Sequence, residues 1–344
     1  MKISGLLFLA VLFLACERIV DMDSLRPEPK LVLNGVLKTG EPVRVTLSRT
    51  WFYSDGKPNV TIPGANVKLY VNDVFRDRLS FVAPEKETES GCYESAFTPS
   101  AGDRVRITAS VAGYPDVASV TELPKLMPVD TCRLVSHISG FWEKDSLNVY
   151  HLDYTLELVI RDDPDEANYY LIYGKEQFRH SGGGYGGEVW EDTGVYMRSC
   201  RIRFADDPLF KTETTAFDFI FGTGNSQNEY WGAFSDELIE GKSYTMRLPI
   251  GNGSYTVNQS KEDGTIMEPG RFCFYLQSIS KDYYDYLKTL QKLNSGFFIG
   301  DLASSGFAEP IRIPSNVEGG TGIVGGVTES LSEWREEDFV TFPK

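Results

Sequence analysis

Histidine is scarce and cysteine is scattered in this chain: 344 residues hold three histidines and five cysteines. Cys92, Cys132, Cys200 and Cys273 lie far apart with no C-x-x-C spacing, and His137, His151 and His180 stand in unrelated contexts, which argues against a zinc site. No G-x-S-x-G elbow, H-E-x-x-H pair or cysteine–histidine signature is present. A nucleophilic triad assembled by folding would leave no such local trace, and paired carboxylates for glycoside cleavage are unreadable among so many acids. Basic residues are also in deficit, 34 against 49 acidic ones, for a net charge of −15. That balance argues against nucleic acid or a polyanionic surface as a partner. Finally, no apolar run approaches the roughly 20 residues that a membrane-spanning helix needs.

The apolar run that does exist is short and stands first. Residues 1–16, MKISGLLFLAVLFLAC, place Lys2 before an apolar stretch Leu6–Leu14 and end on Ala15-Cys16. A charged start, a short hydrophobic segment and a small residue ahead of a cysteine form the pattern of a bacterial lipoprotein signal, in which the thiol takes up diacylglycerol. The usual box has Leu three positions before the cysteine, where this chain has Phe13. The sequence thus predicts a signal peptide over 1–15, lipidation at Cys16 and a polar, proline-bearing tether over 16–29. Glu17, Asp21 and Asp23 add acidity behind the cysteine, and Arg18, Ile19 and Val20 dilute it, so the side of the outer membrane on which the anchor sits stays open.

The remaining length of about 330 residues suits two domains. From Lys30 onward, short alternating runs appear: 31–37, 43–48, 65–71, 104–111 and 117–123, separated by turn signals such as Asp55-Gly56 and Pro63-Gly64. They predict an immunoglobulin-like β-sandwich over 30–125. Pro124 and Pro128 bracket a boundary, and 126–344 reads as a larger, mainly β domain with longer glycine-rich loops. Within it, Tyr283, Tyr286, Leu287, Leu290 and Leu293 recur at helical spacing, predicting one amphipathic helix over 282–293, with Ser280 as its cap and 294–296 as its stop. An oxidising compartment would permit one or two disulfides among Cys92, Cys132, Cys200 and Cys273, in any of three pairings.

Candidate sites follow from local chemistry. Trp51, Phe52 and Tyr53 enter a turn in succession and offer flat apolar surface to a sugar ring or a protein partner; alternatively, alternate members fill the core. Asp162, Asp163, Asp165 and Glu166 surround Pro164 and offer hard oxygens to calcium, without the register of an EF-hand; the competing reading is a solvated turn. Gly182–Gly187 fits G-x-G-x-x-G by letter, but EVWEDTG follows without helical periodicity, so the run reads as a β-connection rather than a nucleotide loop. The dense glycines of 318–326 predict a loop and strand packed tightly on the second domain.

Five segments together carry a family likeness: EPKLVLNG (28–35), VTLSRT (45–50), FSDELIEGKSYTMRLPI (234–250), LQSISKDYYDYLKTL (276–290) and FAEPIRIPSNVEGGTGIVGG (307–326). The chain resembles a Bacteroidota family of lipoproteins, the domain of unknown function 4249. The resemblance implies an outer-membrane lipoprotein with a sandwich-like N-terminal region, and a TonB-dependent β-barrel receptor as its partner. It implies no catalytic residue and no cofactor. The expectation is a non-enzymatic accessory protein in nutrient capture or uptake. The alternatives are an autonomous glycan- or protein-binding lipoprotein using the Trp51–Tyr53 loop, and an envelope hydrolase.

Overall fold

A computed structural model describes residues 26–56, 60–86, 90–163, 166–179, 195–204, 207–210, 232–239, 241–262, 271–295, 312–329 and 334–335. The first eight strands are β1 (Leu31–Lys38), β2 (Val43–Arg49), β3 (Asn66–Val71), β4 (Val74–Arg78), β5 (Ser80–Val82), β6 (Cys92–Ser95), β7 (Arg104–Ser110) and β8 (Val117–Glu122). They are followed by β9 (Val129–Lys144), β10 (Leu147–Arg161), β11 (Tyr169–Arg179), β12 (Val195–Cys200), β13 (Ala233–Ser235), β14 (Ser243–Ser260) and β15 (Arg271–Ile279). Helix α1 (Lys281–Ser295) and strands β16 (Val317–Glu318), β17 (Val324–Glu329) and β18 (Trp334–Arg335) complete the described chain. Among the described residues the fold is mainly β, with one α-helix and several sheets. No helix among the described residues is long and apolar enough to cross a membrane.

The alternation read from the sequence is the burial pattern of the first strands. Leu31, Leu33 and Leu37 of β1 and Val43, Val45 and Leu47 of β2 point to one side, opposite Val67, Leu69 and Val71 of β3 and Val105, Ile107 and Ala109 of β7. Two sheets contribute to this core: β1, β2, β6 and β5 on one side, and β16, β8, β7, β3 and β4 on the other. Each fully buried Leu or Val is worth about 1.5–3 kcal/mol over its exposed state, which fixes the register of strands whose side chains alternate between faces. Tyr93 is the polar exception. Its hydroxyl donates to the carbonyl of Ile62 at 2.7 Å and accepts from the N–H of Ala65 at 2.8 Å, so burial leaves neither capacity empty.

A second core joins the three-stranded sheet β14-β10-β9 to β11, β12 and β15, around Leu156, Met246, Leu248, Phe234 and Phe272. The long strands β9 and β10 pair over most of their length and were only partly visible in the sequence, because 129–144 carries mostly exposed side chains.

The two regions are not separated at the boundary that Pro124 and Pro128 suggest. Strand β17, from near the C-terminus, lies parallel to β1, with Gly35 opposite Val324 and Lys38 opposite Val327, and antiparallel to β15 on its other side. A single ten-stranded sheet therefore runs from β12 to β5 through both regions. The connecting segment is itself pinned: Thr328 Oγ1 donates to the carbonyl of Pro124 at 2.6 Å, and the Met127 N–H donates to Ser278 Oγ at 3.2 Å.

Candidate functional site

The loop holding Trp51, Phe52 and Tyr53 is short and internally braced. The Asp55 N–H donates to the Phe52 carbonyl at 2.9 Å, and Asp55 Oδ2 accepts from the Phe52 N–H at 3.2 Å. Arg26, which sequence reasoning placed in the featureless tether, lies against the same turn. One guanidinium nitrogen donates to Asp55 Oδ1 at 2.7 Å and another to Ser54 Oγ at 3.3 Å, while the guanidinium carbon sits 4.9 Å from the centroid of the Phe52 ring. The Arg26 hydrogen bond, reinforced by the Phe52 N–H, holds the Asp55 carboxyl below the ordinary carboxylate range. The three aromatics are therefore not one platform. Phe52 carries Arg26 and is half-buried, Trp51 is 46% exposed, and the Tyr53 side chain lies outside the described residues.

The acidic segment behaves differently from a solvated turn at its first member. Asp162 is buried, its Oδ1 accepting from the Tyr170 hydroxyl at 3.4 Å and its Oδ2 from the Gly241 N–H at 2.8 Å. It joins the end of β10 to the turn before β14, with buried Asp236 close enough for the two charges to interact. Burial foremost, with the Asp162 charge, pushes the Tyr170 phenol far above its usual range. Glu166 is exposed and pairs with Lys125 at 2.7 Å, whereas Asp165 lies outside the described residues. Among the described residues, no group of three or more His, Cys, Asp or Glu is gathered to hold a metal ion.

A cleft of about 560 Å³ opens where the two regions meet, a size suited to a small ligand. Its walls are the end of β8, residues 123–125, residues 166–169 and the entry to α1 at 279–282. Arg104, Lys125 and Lys281 face it together with Glu122, Glu166 and Asp282. Arg104 is bonded to Asp73 at 3.0 Å, Lys125 to Glu166, and Lys281 to Asp285 one helical turn away. The surface offers both signs of charge to a polar ligand, with its three cations already paired. Sequence reading passed over it because its walls come from four separate segments, around 102–104, 120–125, 166–169 and 279–282.

The glycine-rich tail is threaded through the structure rather than laid on the second domain alone. A Cβ on Gly322, whose φ is +124°, would stand 2.1 Å from the Leu33 carbonyl oxygen, and one on Gly326 would stand 2.2 Å from that of Glu122. On Gly325 it would meet the Tyr283 ring at 2.7 Å, so α1 sits directly against β17. Two asparagines hold the path. Asn34 Oδ1 accepts from the Ile323 N–H at 2.9 Å, and the Asn316 amide bonds both backbone groups of Val324. Both asparagines lie inside segments that carry the family likeness, 28–35 and 307–326, where the sequence alone attaches no role to them.

Ser280 begins the helix as expected, since its carbonyl accepts from the Tyr284 N–H at 3.0 Å. Its hydroxyl, however, accepts from the Gly326 N–H at 3.0 Å, tying the helix entry to β17 instead of capping the first turn.

Cys132, Cys200 and Cys273 are buried and Cys92 is half-buried, and no disulfide joins any of these four. Cys200 and Cys273 cannot pair. Their strands flank β11, which separates them by about 9–10 Å, against the 7 Å or less between Cα atoms that a bridge needs. Cys200 also stands opposite Gly174 and Cys273 opposite Lys175, so they face opposite sides of the sheet. Burial pushes the Cys200 thiol up to about 12. Cys16, the run 182–187 and His180 lie outside the described residues.

Compared with known proteins, residues 17–332 match the profile of a domain of unknown function, DUF4249. No curated protein matches. Among solved structures, a β-glucuronidase from Parabacteroides merdae aligns at 8% identity with a TM-score of 0.20, over 74% of this chain and 24% of that one. The chain spans about a quarter of that enzyme's length, and the likeness is too slight to carry fold or function. The match over nearly all residues after Cys16 is decisive for kinship: the chain belongs to the DUF4249 family.

Proposed function

We propose that this protein is a non-enzymatic, lipid-anchored accessory protein of the outer membrane, working with a TonB-dependent β-barrel transporter in the capture or uptake of a nutrient. The observation that carries this reading is the junction at Cys16. A lipoprotein-type leader occupies 1–15, and the family match begins at residue 17, directly behind the cysteine that would take the lipid. A diacylglycerol together with a further acyl chain gives stable attachment, and attachment raises the local concentration of the body around a membrane partner. The buried carboxylates are consistent with a scaffold: Asp162, Asp207 and Asp236 all accept hydrogen bonds from backbone N–H groups, and Glu176 is forked to Arg198.

The test is purification of the natively lipidated protein in mild detergent, followed by mass spectrometry of co-purifying chains, with Cys16→Ser as control. Recovery of a TonB-dependent barrel that depends on Cys16 is the expected result. Recovery of the protein alone would overturn the partnership.

A further inference from the structure

The contacts of Arg26 say from which end of the body the N-terminal segment leaves. Strands β1 and β2 are antiparallel, with Leu31 opposite Arg49, and the Lys30 and Thr50 backbones close this end: the Lys30 N–H donates to Thr50 Oγ1 and the Thr50 N–H to the Lys30 carbonyl, both at 2.9 Å. Four residues earlier, Arg26 is held to the 52–55 turn by an ion pair, a hydrogen bond and a ring contact. Residues 26 and 30 are therefore both fixed at the same end of the β1–β2 pair. The far end, the turn around Gly40, is eight strand residues away, about 26 Å.

Ten peptide steps separate Arg26 from Cys16. They span about 36 Å if fully extended, and a flexible chain of that length averages about 16–19 Å. A lipid on Cys16 therefore keeps the Trp51 end close to the lipid surface. This end differs from the acidic chain as a whole, whose net charge is −15. Arg26, Lys30 and Arg49 stand here against Glu28 and Asp55, Arg26 is ion-paired with Asp55, and the Arg49 charge also reaches Asp55. Trp51 lies at this same end, two residues after Arg49, with almost half of its surface open. An amphipathic indole beside cations is the pairing that settles at the headgroup level of a bilayer.

We infer that the Trp51–Asp55 turn is the membrane-facing end of the folded body, with Arg26 docking the tether beneath it and Trp51 seated in the phospholipid headgroup layer. The inference rests on lipidation at Cys16 and adds to it an orientation: the β1–β2 pair points its Gly40 turn away from the membrane.

The experiment uses full-length lipidated protein on phospholipid vesicles with and without brominated acyl chains, comparing wild type with Trp51→Phe to isolate the Trp51 emission. The expected result is that brominated lipid lowers the Trp51 component about twofold or more, and that Arg26→Ala reduces this quenching while the protein still floats with the vesicles. Protein that floats with its Trp51 emission unquenched overturns the orientation and leaves the anchor standing. Quenching that is the same in Trp51→Phe, or that appears only when another envelope protein is added, also overturns the orientation. Protein that stays in solution overturns the anchor and the inference with it.

Discussion

Asn316 and Val324 are paired as two strand residues would be, although one partner is a side chain: Asn316 Nδ2 donates to the Val324 carbonyl at 2.9 Å, and Asn316 Oδ1 accepts from the Val324 N–H at 3.0 Å. The same amide reaches Ser119 Oγ at 3.2 Å and Asp282 Oδ2 at 3.2 Å. One residue thus joins β8, β17 and the start of α1.

Removing that amide leaves backbone groups of β17 without partners. Asn316→Ala should destabilise the protein by about 1–3 kcal/mol, the cost of orphaning partly buried donors and acceptors. Asn316→Asp should cost more, because it replaces the donor with an oxygen facing the Val324 carbonyl and the Asp282 carboxylate. Urea titration followed by tryptophan fluorescence measures both. Asp tolerated as well as Ala would refute the pairing.

Two glycines separate backbone strain from close approach. Gly40 has φ +77° and open space around its missing Cβ, so Gly40→Ala should cost about 1 kcal/mol. Gly326 needs no left-handed φ, but its Cβ would sit 2.2 Å from the Glu122 carbonyl oxygen. Gly326→Ala should therefore cost about 3 kcal/mol or more, by forcing β17 off β8. Thermal melts of the two variants side by side give the comparison; equal losses would contradict the threading.

Asp236 should leave a mark on the pH dependence of stability. Burial foremost, with the Asp162 charge, raises its carboxyl above the ordinary value of 3.8, against the lowering effect of the Asn168 N–H. A raised carboxyl binds more protons folded than unfolded, so its contribution to stability falls as pH rises from the unfolded value through the folded one. Relative to Asp236→Asn, the wild type should lose ground as pH rises above the ordinary carboxylate value of about 4. Unfolding free energies of both proteins across that range decide it; a difference that is flat or of opposite slope would exclude a raised carboxyl.

The thiols give a third kind of test. In the Cys16→Ser protein, Cys92 should react with a thiol reagent at least about tenfold faster than Cys132, Cys200 and Cys273, which are buried and should label only on unfolding. Reductant should leave the melting temperature unchanged. A reductant-sensitive melt would mean that a disulfide stabilises the protein.

By itself the sequence determined the β character, most strand positions and the helix, because each follows from a periodicity local to its own residues. Runs 31–37 and 43–48 alternate as β1 and β2 do, and the helical spacing of Tyr283, Tyr286, Leu287 and Leu290 lies within α1. It also determined the family, through segments such as SNVEGG whose identity could be read without knowing their use. Only the tertiary structure decided that β17 lies between β1 and β15, that Ser280 and Asn316 serve that strand, and that Arg26 covers Phe52. The physical reason is that each of these is a contact between segments far apart in the chain. The Asn34 side chain meets the Ile323 N–H across 289 residues. No local pattern records such a meeting; it is settled when the two cores pack and the buried backbone groups between them must find partners.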